Sequence, residues 1–160
     1  MIKKNIYIIS IFLLIFLNGC GYKPLLKKSS YDFSFVVIDK SGNEKINSII
    51  EKKLNTINGN KRSFKVILIS KESKNVISKD SKGDPTILEA VINLNYKLYE
   101  NSKILVNRTL TQRSTYNNIS DKFELRKSEE ILTDNLVDDL VSDIINSTSN
   151  FILNPMINDN

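Results

Sequence analysis

The sequence has 160 residues, with 23 Lys and Arg against 18 Asp and Glu, a net charge of +5, one cysteine and no histidine. The missing histidine removes His-based triads and the usual zinc and transition-metal ligand sets. No Gly-flanked serine, phosphate loop or metal-binding acid loop is present either, so a non-enzyme with no cofactor and no metal is expected.

The chain opens with Lys3 and Lys4, then an apolar run from Ile6 to Leu17 broken only by Ser10, then Asn18 and Gly19. This is the charged, greasy and processed order of a secretory leader. The run is too short for a membrane span, which needs about 20 residues. Leu17-Asn18-Gly19-Cys20 resembles a bacterial lipobox, with the cysteine directly after a small residue. In leaders of that kind the thiol receives diacylglycerol and the chain is cut just before it. Residues 1–19 therefore read as a lipoprotein signal peptide and Cys20 as the lipidation site. Loss of Lys3 and Lys4 takes the net charge from +5 to +3. Acyl chains contribute about 0.8 kcal/mol per buried methylene and hold a folded domain at a bilayer without a spanning helix. By the same resemblance Gly21, standing where aspartate would signal inner-membrane retention, implies the outer membrane.

Residues 20–32, rich in Lys and Ser with Pro24 among them, read as a lipidated tether. Phe33 to Ile38 is a first strand of β-branched and aromatic residues, ended by the turn signal Asp39-Lys40-Ser41-Gly42. A helix follows from about Asn43 to Asn58. Ser41 and Glu44 have capping-box spacing, and Ile46, Ile49, Ile50, Leu54 and Ile57 make one apolar stripe. Asn58-Gly59-Asn60 supplies a left-handed stop. Phe64 to Ser70 is a second strand, apolar on both sides from Val66 to Ile69 and hence central or doubly covered. The lysine-rich stretch from Lys71 to Asp84 is either a long hairpin tip, with Val76 and Ile77 extending a strand, or a mobile loop.

Thr86 to Tyr99 is a third strand in which Ala90, Ile92, Leu94, Tyr96 and Leu98 alternate with a mostly wet set. Glu100 to Lys103 turns the chain, and Ile104 to Tyr116 returns as a more polar fourth strand. A long helix follows, capped by Asp121 with Glu124 three residues on. Leu125, Glu129, Leu132, Leu136, Leu140 and Ile144 mark its seam. Asp134, Asp138, Asp139 and Asp143 read as a solvated face. Residues 148–160 read as a flexible tail. The expected fold is α+β: residues 33–147 form a two-layer domain in the order β-α-β-β-β-α, with a four-stranded, mostly antiparallel or mixed sheet and two helices on one face. The other sheet face, showing Tyr, Asn and basic residues, is left open to water or a partner.

These residues resemble a known family, the lipopolysaccharide-assembly lipoprotein LptE in its alphaproteobacterial form. The resemblance rests on Cys20-Gly21-Tyr22-Lys23-Pro24-Leu25, on the element order, on the long strand hairpin, and on Ser114-Thr115-Tyr116-Asn117 before an amphipathic terminal helix. It covers nearly the whole mature chain. One departure stands out: that family's last helix is usually alanine-rich after an aromatic residue, whereas Phe123 here is followed by Glu124 and Leu125.

The resemblance implies a lipid-anchored protein at the periplasmic face of the outer membrane. Its implied partners are an LptD-type outer-membrane β-barrel and lipopolysaccharide, and no nucleic acid is expected. Basic side chains meet phosphate groups as point charges or forks. Lys97, Lys103, Arg108 and Arg113 on the last hairpin are the candidate contacts, with Lys71, Lys74, Lys79 and Lys82 before them. The competing expectation is a stand-alone periplasmic carrier of lipid or solute. The polar alternation of the third and fourth strands speaks against the large apolar pocket such a carrier needs.

Overall fold

The computed structural model describes residues 31–153. The leader, Cys20 and most of the tether lie outside the described residues. The elements are β1 (Phe33–Gly42), α1 (Glu44–Leu54), β2 (Arg62–Lys79), β3 (Pro85–Glu100), β4 (Lys103–Asn117) and α2 (Lys122–Leu153). The strands lie in the order β1-β2-β3-β4. β1 runs parallel to β2, and the other pairings are antiparallel, so the sheet is mixed. This is the expected α+β order.

One sheet face is covered by both helices. The alternation of β3 places Ala90, Ile92, Leu94, Tyr96 and Leu98 in the core, each at most 3% exposed. Ile46, Ile50 and Leu54 from α1, and Leu136, Val137, Leu140, Val141, Ile144 and Ile145 from α2, close over them. The central position of β2 explains its unbroken apolar run. Its helix-side residues Phe64, Val66 and Leu68 are fully buried, while Ile69 on the other side is exposed. At one end of the core Phe33 stacks edge-on against Phe35 and Phe64, with centroids 5.4 and 5.9 Å away. Edge-on pairs of this kind add to the gain from area burial. Arg62 reaches over the Phe64 ring at 5.1 Å and forks onto Glu100 of β3 through bonds of 2.8 and 2.6 Å.

The structure corrects several expectations. Of the two alternatives for Lys71 to Asp84, the long hairpin holds and the mobile loop does not: β2 runs on through Val76 and Ile77 to Lys79, and β3 pairs with it from Lys71↔Asn93 to Lys79↔Pro85 with register shifts after Val76 and Ser78. Cross-strand partners decide strand status where the segment's own pattern is silent. The cap of α1 is Asn43 and not Ser41: its Oδ1 accepts from the Ile46 amide at 3.1 Å. Ser41 instead belongs to β1, and its carbonyl accepts from the buried Asn47 at 2.8 Å. The helix ends at Leu54, and Gly59 does not serve as a left-handed stop. A side chain at Gly59 would run into the backbone of residues 31–33. The left-handed glycines among the described residues are Gly42, at φ +89°, and Gly83, at φ +90°. Finally, α2 continues to Leu153, beyond the boundary expected at 147. Thr148 is buried there, and its hydroxyl donates to the Ile144 carbonyl at 2.8 Å.

Candidate partner-binding surface

The sheet face opposite the helices is polar and open. By register it carries Lys65, Lys71, Lys97 and Arg113, against the acids Asp39 and Glu89. Between these cations runs an amide–hydroxyl ladder. Asn95 donates to the Thr109 hydroxyl at 3.0 Å, and the Thr111 hydroxyl donates to the Asn93 side chain at 2.7 Å. Val36 and Ile69 stand half exposed on the same face. Val91 is the exception, 7% exposed between Ser73 and Arg113 with no second layer above it among the described residues. The arrangement suits a ligand or surface that is anionic, offers hydroxyl or phosphate oxygens, and is broad enough to meet a flat sheet.

The helix layer has the opposite sign. Its α2 carries Glu124, Glu129, Glu130, Asp134, Asp138, Asp139 and Asp143 against Lys122, Arg126 and Lys127. Part of this charge is tied down. Lys53 of α1 lies 3.5 Å from Asp134 and 2.8 Å from Asp138. Burial alone would lower the pKa of Lys53, but the bond and field of Asp138, with Asp134 behind it, outweigh that and raise it. Asp143 accepts from Gln112 of β4 at 3.2 Å.

The carboxylate in the α2 seam has a reason of its own. Glu129 accepts the Tyr116 hydroxyl at 2.8 Å and lies 2.8 Å from the Lys74 ammonium. Burial raises the Tyr116 pKa, and the neighbouring Glu129 carboxylate raises it further, well above the ordinary phenol range. Burial would also raise Glu129, but Lys74 and Tyr116 together hold it below the usual carboxylate range. This trio binds β2, β4 and α2 into one unit, so Lys74 is a structural contact as well as a surface charge.

The structure does not bring the eight expected cations into one patch. Lys97 lies on the open face between Ile67 and Asn107. Arg113 is on the same face, opposite Val91 and far along the strand from Lys97. Arg108 pairs with Tyr96 and so falls on the helix side. Lys103 lies at the β3–β4 turn opposite Glu100. Lys71 shares the open face, Lys79 closes the β2–β3 hairpin opposite Pro85, and Lys82 sits in its turn. Lys65 belongs with Lys71 and Lys97 but was not singled out from the sequence. The signal for it is the two-residue alternation that sets Lys65, Ile67, Ile69 and Lys71 on one face.

No protein-family model matches the sequence, and no curated protein matches it. Solved structures share the fold. The chain is similar to rare lipoprotein B from Shewanella oneidensis, at 12% identity and TM-score 0.56, over 76% of this chain and 96% of that one. It is similar to a lipoprotein B from Nitrosomonas europaea, at 19% identity and TM-score 0.56, over 83% and 93% of the two chains. A candidate lipoprotein from Caulobacter crescentus CB15 matches at 11% identity and TM-score 0.52, over 78% and 92%. The chain therefore has the lipoprotein B fold across nearly the full length of those structures.

Proposed function

We propose that this protein is an outer-membrane lipoprotein of the LptE family, anchored through Cys20 at the periplasmic face. In this reading it partners an LptD-type β-barrel and aids passage of lipopolysaccharide to the outer leaflet. The observation that carries the reading is the lipoprotein B fold, joined to a Leu17-Asn18-Gly19-Cys20 segment that resembles a lipobox after an apolar run. The protein works by contact and not by catalysis. Its open sheet face, with Lys65, Lys71, Lys97 and Arg113 around the Asn–Thr ladder, is the surface for phosphate and sugar groups.

Two measurements test this. Labelled palmitate enters the wild-type protein and fails to enter Cys20→Ser, which also loses its membrane fractionation. Affinity purification of the lipidated protein from outer membranes recovers a large barrel protein in stoichiometric amount. Labelling that persists in Cys20→Ser removes the anchor, and a purified protein with no barrel removes the partnership. A bound lipid or solute in a native mass spectrum of a barrel-free protein would instead favour the stand-alone carrier.

A further inference from the structure

The two sheet edges are built differently. In β1 a register shift between Val37 and Asp39 interrupts the pairing, a device that blunts an edge. β4 extends over Lys103–Asn117 without proline or acid, and its only pairing among the described residues is with β3. The pairing is regular from Ile87↔Asn117 to Leu98↔Val106. Its outer row of backbone N–H and C=O groups is a template for another strand.

Beside that edge α2 leaves a groove of about 460 Å³, lined by Arg113 and Ser114 of β4 and by α2 residues that include the acids Glu124 and Asp139 with Lys127, Ile131 and Asn135. Among them Lys127, Ile131, Asn135 and Asp139 recur every four positions, so they form one stripe along the helix. Ile131 in that stripe is 56% exposed, although it is a large apolar residue next to the core. A strand added outside β4 would lie about 4.8 Å away and point alternate side chains to opposite faces. One set would cover Ile131. The other would join the open face, where Arg113 has no ion pair among the described residues.

We propose that β4 and α2 form a slot that receives an extended acidic segment of a partner protein as a fifth strand. Apolar residues of that segment face Ile131, and a carboxylate faces Arg113, the one cation that β4 carries on the open face. Main-chain bonds supply affinity and the alternating side chains supply specificity, as in other strand-addition sites. The inference is independent of the lipid anchor and of the identity of the barrel partner.

The test uses the full chain in detergent and two fluorescein-labelled octapeptides, one alternating valine with glutamate and one alternating valine with lysine. Fluorescence anisotropy is expected to show binding of the glutamate peptide only, weakening as salt rises. Arg113→Glu turns one cross-strand attraction into repulsion and is expected to weaken binding by about tenfold, and Arg113→Gln by about threefold. Ile131→Asp, at an exposed position, is expected to abolish it. Hydrogen exchange is expected to show added protection at alternate β4 amides. Equal binding of the lysine peptide, unchanged affinity in the folded variants, or protection elsewhere overturns the proposal. Protection of β4 without peptide, together with a concentration-dependent dimer, overturns it in favour of a second copy in the slot.

Discussion

Tyr116 donates its phenolic hydrogen to Glu129 across 2.8 Å and thereby joins the edge strand β4 to the seam of α2. The folded state holds Glu129 below its ordinary value of 4.5 and Tyr116 above its ordinary value of 10.0. The Glu129 contribution to stability is thus present above pH 4.5 and lost as pH falls through the lower folded value. The Tyr116 contribution is present below pH 10.0 and lost as pH rises above it. Denaturant melts are expected to show a stability plateau between these limits. In Glu129→Gln the acid-side decline becomes shallower. Tyr116→Phe is expected to cost about 1 to 2 kcal/mol at neutral pH.

Gly42 and Gly83 have nearly equal backbone angles, φ +89° and +90°, but unequal surroundings. A β-carbon at Gly42 would collide with the Ser70 carbonyl oxygen, the same atom that accepts from the Asn43 amide at 3.0 Å. At Gly83 it would meet open space. Gly83→Ala is expected to cost about 1 to 2 kcal/mol from backbone strain alone. Gly42→Ala adds the collision and is expected to exceed it by about 2 kcal/mol or more. Chemical denaturation of the two variants separates strain from collision, and equal costs would contradict the close approach.

Phe64 and Phe123 are both phenylalanines, one fully buried and one 66% exposed. Phe64→Ala is expected to lose about 3 to 5 kcal/mol, since it empties the aromatic cluster with Phe33 and Phe35 and removes the surface under Arg62. Phe123→Ala is expected to stay within about 0.5 kcal/mol of wild type. Thermal melts of both give the comparison.

Ending the chain at residue 147 removes Thr148 and Ile152, one buried and one packed against the core. The truncated protein is expected to be less stable by about 1 to 3 kcal/mol. A truncation with unchanged stability would restore the tail expected from sequence.

That boundary illustrates how much the sequence disclosed. Where burial is one-sided and periodic, the pattern was plain: the alternation of Ala90 to Leu98 and the seam from Leu125 to Ile144 identified the core faces. It faded where polar residues are placed by neighbours. Lys71 to Lys79 carries no apolar alternation, and its strand state comes from its pairing with β3. Ser147, Thr148 and Ser149 look like an unravelling end, yet Thr148 satisfies its hydroxyl on the preceding turn and so can be buried. Spacing pointed to Ser41 as the cap of α1, whereas Asn43 takes that place. Asn43 is held there by its bonds to Ser70, and those are tertiary contacts. For the binding surface, the residue types were legible, but their division between the two faces of the sheet awaited the register.

The parallel pairing of β1 has a consequence for biogenesis. Phe33 is joined to Arg62, so the first strand has no hydrogen-bonding neighbour until the polypeptide beyond α1 has emerged. β2, β3 and β4, by contrast, follow one another as a meander and close by short turns. A chain leaving a narrow channel amino-terminus first would therefore delay its earliest strand and assemble the hairpins before it, because distant closure is slower than local closure. The opening segment stays in a threadable form for longest, a useful order for a polypeptide that must pass through a pore before it folds.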